Sequence, residues 1–236
     1  MPFDYANLEQ LHADDFENFE NWHHEGIGAL ERAPEGGMRL HCFGSKQGAA
    51  ACMAFFRPNL PDQVAFEYDV NVRSHGGLLI NYIAMRGLNR EDLIKDTPRA
   101  LPERAGIMAN YYHRKWGLQS YHVSFSRFGD NGEHTGTSNW RRNPGGLMMG
   151  HGVDPCKELD HTYHIRITKD AGHLQFFCDG VFAHGFIDRD ILRLPIPDAG
   201  KFGFRAIGSD VMVDVSHFRV YRIPVCEEVW KYNGLY

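Results

Sequence analysis

Residues 120 to 130, SYHVSFSRFGD, hold the densest grouping of side chains able to bind a polar ligand or move a proton. Alternation along a strand sends Tyr121, Val123 and Phe125 to one face and His122, Ser124 and Ser126 to the other. The first set is core material. The second places a titratable imidazole between hydroxyls, where a plain solvent face would carry Lys, Glu and Thr, and it reads as the floor of a polar binding face. The same parity adds further groups. In GKFGFRAIG, Phe202 and Phe204 turn inward and Arg205 outward; in SNWRRN, an inward Trp140 leaves Asn139 and Arg141 outward; in GLLINYIAM, inward Ile80 and Tyr82 leave Asn81 outward. On neighbouring strands of one sheet, His122, Ser124, Asn81, Asn139, Arg141 and Arg205 converge. Two guanidinium groups among amides and hydroxyls suit a carboxylate-bearing sugar, because guanidinium binds a carboxylate through two parallel hydrogen bonds and stays charged.

The elements that must hold these residues are strands. Alternating runs at 38–43, 51–57, 63–73, 77–85, 121–128, 163–170, 173–180, 200–208 and 209–223, with almost no helical period, predict an all-β fold, an antiparallel sandwich. KDAG (169–172) and CDG (178–180) are hairpin turns in which Asp and Gly supply positive φ. Between Arg86 and Ser120 the alternation stops for a stretch too long to be a hairpin loop, the kind of ordered excursion that carries function. Within it, NREDLIKD predicts a short helix begun at Asn89, and ANYYHRKW offers Tyr111 or Tyr112 as a phenol, His113 as a polar contact and Trp116 as an aromatic platform for a sugar ring. His75 and His113 are weaker alternatives to His122.

Composition excludes several classes. The 236 residues are 43% hydrophobic with a formal net charge of -5, enough for one large β domain over 1–236 and the wrong sign for nucleic acid or an anionic membrane surface. No run reaches membrane-spanning length, and the amino terminus lacks the basic and apolar segments of a secretory signal, so a cytoplasmic location is expected. Five dispersed cysteines, Cys42, Cys52, Cys156, Cys178 and Cys226, fit reduced thiols rather than a disulfide frame. The tail from about 224 ends in Trp230, Tyr232 and Tyr236, which are expected to dock on the domain or on a second copy in a homodimer.

The ordered series RGLNREDL, SYHVSFSR, SNWRRN, HGVDP, YHIRITKDAGHLQFFCDG and GKFGFRAIG resembles the YesU-type family, a domain of unknown function with a concanavalin-like jelly roll, over about residues 77 to 222. The resemblance implies a galectin-like sandwich and an association with the use of plant cell-wall polysaccharides containing rhamnose and uronic acids. His122, Ser124, Arg127, Asn139, Arg141 and Arg205 are the positions that match the family pattern, and Arg127 joins the binding set on that ground. The excursion at 86–120, the segment from Phe128 to Thr137 and the first 76 residues depart from it.

A uronic-acid oligosaccharide on such a face could undergo β-elimination, which needs the carboxylate neutralised, a base for the C5 proton and an acid for the leaving oxygen. Arg141 or Arg205, His122 and Tyr112 would supply these. Two alternatives stand beside this lyase reading. One is a galectin-like binding module without chemistry. The other is a glycoside hydrolase using Glu67 and Asp69, two residues apart on one strand face at about 7 Å, within the separation paired carboxyls require. No cofactor is required and no catalytic metal spacing occurs. Glu25 with Asp210 or Asp214 is the expected oxygen set if a structural calcium joins the first and last strands.

Overall fold

The computed structural model describes residues 7–45, 49–95, 104–115, 117–189 and 195–225. Fifteen strands follow in order: β1 (Gln10–Asp14), β2 (Trp22–Gly26), β3 (Ala29–Arg32), β4 (Met38–Phe43), β5 (Ala51–Phe56), β6 (Val64–Val72), β7 (Gly77–Gly87), β8 (Leu118–Phe128), β9 (Thr137–Asn143), β10 (Leu147–Val153), β11 (Thr162–Asp170), β12 (His173–Cys178), β13 (Val181–Ile187), β14 (Lys201–Gly208) and β15 (Asp210–Arg222). A short helix, α1 (Met108–Tyr112), lies between β7 and β8. One sheet runs β13-β12-β11-β6-β15-β4-β3, with β1 also on β15; the other runs β10-β9-β8-β7-β14-β5-β2. The two sheets make an antiparallel sandwich of jelly-roll type.

Alternation determines which side chains fill the space between the sheets. Phe66 and Tyr68 from β6, Phe125 from β8, Trp140 from β9 and Phe202 and Phe204 from β14 are buried there, and the Phe66 and Phe202 rings lie 4.6 Å apart. Each such ring contributes on the order of 2 kcal/mol by leaving water. A second apolar cluster sits on the far face of the β2-to-β10 sheet. Met53 and Phe55 (β5) and Ile80, Tyr82 and Met85 (β7) are covered there by Leu93, Tyr111 and Leu118 from the excursion and its edge. The excursion is therefore packed onto the sheet face that carries the polar residues.

Three expectations change. Asn81 points into the core, where its Oδ1 accepts the buried Tyr68 hydroxyl at 2.5 Å, while Ile80 and Tyr82 occupy the outer face. The excursion makes that face apolar, and a buried phenol needs an acceptor, so both parities of β7 are satisfied the opposite way. Residues 88–95 form turns rather than a helix, with Asp92 Oδ1 accepting the amides of Ile94 and Lys95. At the β11–β12 turn it is Ala171 that takes positive φ, whereas Asp179 and Gly180 do so at the β12–β13 turn as expected.

The described cysteines are buried and free, and Cys226, Trp116, Trp230, Tyr232 and Tyr236 lie outside the described residues. No helix among the described residues is long and apolar enough to cross a membrane.

Candidate functional site

Pairing across the outer face of the second sheet builds two rows. One runs Glu25, Met53, Arg205, Ile80, Ser124, Asn139 and His151; the next runs His23, Phe55, Gly203, Tyr82, His122, Arg141 and Met148. Directly opposed side chains in such rows stand about 5 Å apart, close enough to touch. His122, Ser124, Asn139, Arg141 and Arg205 therefore share one face, as parity predicts, and Asn81 is absent from it. Arg127 joins by a break in alternation. Ser126 has φ 50°, and the chain beyond it places the Arg127 guanidinium on Ser124 Oγ at 3.2 Å. Ser126, expected on this face, has a buried hydroxyl with no partner.

His122 lies at the centre, only 2% exposed. Asn143 Oδ1 accepts the Gly146 amide at 3.1 Å, which turns Asn143 Nδ2 toward Ser120 Oγ at 2.9 Å and His122 Nδ1 at 3.1 Å. Nδ1 must then accept, so the ring proton sits on Nε2. Nε2 faces the Tyr112 hydroxyl at 3.4 Å, and the two rings stack with an 8° angle between their planes. Burial, reinforced by the charges of Arg205 and Arg141, pushes His122 down to about 3. The imidazole is thus neutral at physiological pH, with both nitrogens engaged inside the protein.

Tyr112 is the half-buried member that reaches outward. Its oxygen receives the Tyr82 hydroxyl at 3.2 Å as well as His122 Nε2, and Tyr82 in turn receives Arg205 Nη1 at 3.4 Å. Arg205 is fully buried, and its Nη2 is tied to the Gly106 carbonyl at 3.2 Å. It is thus a charged base plate under the phenols and is not open to solvent. Arg141 and Asn139 stay partly accessible; Arg141 Nη1 donates to Gly146 O at 2.6 Å, and Asn139 makes no side-chain hydrogen bond among the described residues. Arg127 Nε is buried without a partner, and burial together with the neighbouring Arg141 charge lowers the Arg127 value. His113 caps α1 and accepts the Lys115 amide; His75 lines a separate hollow with Ser74, Asp130 and Asp210.

A buried knot beneath the excursion holds this arrangement; Glu25, expected as a calcium ligand, and Tyr111, expected as an alternative phenol, serve in it together with Arg104, to which the sequence assigned no role. Glu25 on β2 takes Arg104 Nε at 3.1 Å and the Tyr111 hydroxyl at 2.6 Å, and Tyr111 Oη accepts the Gly106 amide at 2.9 Å. All three side chains are buried. Glu25 is pushed up to about 7 by burial, against the opposing pull of Arg104 and Tyr111. This knot fixes the segment that presents Tyr112. Tyr82 and Asn143 were hidden by the parity of β7 and by the turn at its neighbour.

The remaining ligand sets are corrected. Glu25, Asp210 and Asp214 do not form a calcium site: Glu25 binds Arg104, Asp210 binds His41, and Asp214 binds Arg39 and Arg73. Among the described residues no group of three or more His, Cys, Asp or Glu could hold a metal ion. Glu67 and Asp69 lie on the opposite sheet, Glu67 on Arg166 at 2.5 Å and Asp69 on His164 and His217. Carboxylates so held by neighbouring side chains are structural contacts of the sheet surface rather than an acid and base waiting for a substrate.

The model of a domain of unknown function, DUF1961, matches residues 7–218. The chain belongs to the DUF1961 family. Among relatives of this DUF1961 protein, the uncharacterized protein YesU of Bacillus subtilis is 26% identical over 149 residues, 61% of this chain and 66% of YesU, so the alignment spans just under two thirds of that relative. A crystal structure of a protein of unknown function with galectin-like fold from Bacillus subtilis superposes with a TM-score of 0.78 at 22% identity, covering 91% of this chain and 96% of that one. The kappa-carrageenase of Pseudoalteromonas carrageenovora, solved with a carrageenan oligosaccharide, superposes with a TM-score of 0.59 at 9% identity, covering 92% and 95%. These likenesses establish the jelly-roll fold of this DUF1961 member.

Proposed function

We propose that the protein is a carbohydrate-active enzyme that binds an acidic oligosaccharide across β8, β9 and β10 and cleaves it by β-elimination next to a uronic acid. The observation that carries this reading is the Tyr112 hydroxyl, which receives hydrogen bonds from both Tyr82 and neutral His122 beside the accessible Arg141. Similar sandwiches bind or cut saccharides, the carrageenase among them and a carbohydrate-binding module of Bacillus subtilis another, which supports a saccharide ligand.

In the proposed reaction Arg141, with Arg127 behind it, pairs with the sugar carboxylate and stabilises the negative charge that spreads onto it as the C5 proton leaves. Tyr112 as phenolate takes that proton. The C5–H electron pair becomes the C4=C5 double bond, the C4–O bond breaks, and Tyr112 returns the proton to the departing oxygen. The N–H of His122 and the O–H of Tyr82 hold the phenolate charge between the two transfers, and Arg205 orients Tyr82. His122 thus acts through Tyr112 and not on the substrate itself. Asn139 contacts sugar hydroxyls, while Ser124, itself buried, holds the Arg127 guanidinium in place. A screen of uronide oligosaccharides for absorbance of the new double bond tests this. Wild type should form unsaturated product and Tyr112→Phe should lose it by at least about a hundredfold; no product from any uronide would overturn the lyase reading.

A binding-only role is the second reading. The accessible strip of Arg141, Asn139 and exposed His151 would suffice for recognition without proton transfer. Uronide affinity unchanged in Tyr112→Phe, with no product from wild type, would select it.

A further inference from the structure

The opposite sheet carries a second hollow, remote from His122. Its floor is a grid of side chains from three strands: Thr162, Asn71 and Asp214 in one row, and Asp69 and Ser216 in the next, contributed by β11, β6 and β15. The turn at 34–37 overhangs this grid. Gly37 lies so close to β15 that an added Cβ would stand 2.3 Å from Val215 O, and Arg73 spans the opening between Asp214, Asp160 and Glu35. The result is a walled cavity of about 220 Å³ rather than a flat sheet surface.

The polar groups inside are unevenly satisfied. Asp214 is saturated by Arg39 and Arg73, and each Asp69 oxygen holds one imidazole, from His164 and His217. Asn71, by contrast, is buried with its Oδ1 unpartnered, while its Nδ2 donates to Thr162 Oγ1 at 3.1 Å. The Thr162 hydroxyl proton remains available, and the Ser216 hydroxyl makes no hydrogen bond among the described residues. A buried amide oxygen left without a donor costs roughly 1–3 kcal/mol, which a ligand donor would recover.

We infer that this cavity is a binding site for a single neutral sugar unit. The occupant must donate to Asn71 Oδ1 and accept from Thr162 and Ser216 within a few ångströms, which is the chemistry of adjacent hydroxyls that both give and take hydrogen bonds. Asp69, Asp214 and Glu35 outnumber Arg73 on the cavity wall and disfavour a carboxylate, the reverse of the Arg141 face. The volume is below the roughly 300 to 1,000 Å³ of drug-sized ligand pockets, so one ring fills it. The inference stands apart from the proposed lyase site, with which it shares no residue.

The test is a nitrogen-15 NMR titration of the full chain with methyl galactoside, methyl mannoside and methyl fucoside, and with sodium galacturonate as the charged control. At least one neutral glycoside should shift the Asn71 side-chain amide and the backbone amides of Ser216 and Gly36 saturably, and galacturonate should not. Asn71→Ala should weaken binding about tenfold, the value of one buried hydrogen bond. Thr162→Val, a change at an exposed position, should do likewise while leaving the rest of the spectrum in place. Failure of every neutral glycoside to produce saturable shifts would mean the hollow holds only water and overturns the inference. So would equal binding of galacturonate, or binding unchanged in both variants.

Discussion

Replacing Glu25 by Gln should change how stability depends on pH, with a sign fixed by the site. Burial holds the Glu25 carboxyl near 7 against a usual 4.5, so between those pH values the folded protein keeps a proton that the unfolded chain gives up. The unfolded state then binds fewer protons, and this group's contribution to stability falls as pH rises through the interval, by at most about 1.4 kcal/mol per pH unit and about 3 kcal/mol in all. His122 works in the opposite direction. Held near 3 against 6.5, it is proton-free in the folded state, and its contribution is fully present above 6.5 and lost as pH falls toward 3. Both proteins contain His122, so its effect cancels when the unfolding free energy of the variant is subtracted from that of wild type. Urea unfolding from pH 4.5 to 7.5 should show that difference moving by up to about 3 kcal/mol against wild type as pH rises. Below about pH 7 Glu25 is itself protonated, so the Arg104 guanidinium faces a neutral side chain in wild type and variant alike and adds little to the difference there; Glu25→Gln with Arg104→Met should keep the slope. A difference that stays constant with pH would mean that Arg104 holds Glu25 ionised throughout and would refute the reasoning.

Two further outcomes follow from buried polar pairs. Asn81→Leu should cost about 1–3 kcal/mol in urea unfolding because it strands the Tyr68 hydroxyl in the core, and adding Tyr68→Phe should recover most of the loss. Arg142→Met leaves Asp188 buried with the Tyr121 hydroxyl but without its guanidinium partner, and should cost about 3–5 kcal/mol, far more than the loss of an exposed pair such as Arg222 with Glu9.

Strand alternation made the sandwich and much of the candidate site legible, because a residue's face follows from its neighbours wherever one parity is clearly apolar. That holds for Val123 and Phe125 around Ser124, for Phe204 beside Arg205 and for Trp140 beside Arg141. It failed at β7, where both parities are apolar and a single Asn had to be placed by polarity alone; the deciding fact, a Tyr68 hydroxyl needing an acceptor across the core, is a contact between distant strands. The Glu25, Arg104 and Tyr111 knot was illegible for a similar reason. Glu25 lies 79 and 86 residues before Arg104 and Tyr111, and nothing local distinguishes an acid that will be buried under an excursion from one on an ordinary edge strand. The Asn143 amide that sets the His122 tautomer depends on a turn geometry that spacing does not specify.

The claim that the β8–β9 face serves an acidic saccharide is tested most directly by calorimetric binding of a uronide oligosaccharide and its neutral counterpart to wild type and Arg141→Lys. Wild type should prefer the uronide by at least about tenfold, and the variant should lose roughly 1.5–3 kcal/mol for the uronide alone, because an ammonium cannot reproduce the two-pronged guanidinium contact. Equal affinity of wild type for the two sugars, or equal loss for both in the variant, would contradict it and leave Arg141 with only its structural bond to the Gly146 carbonyl.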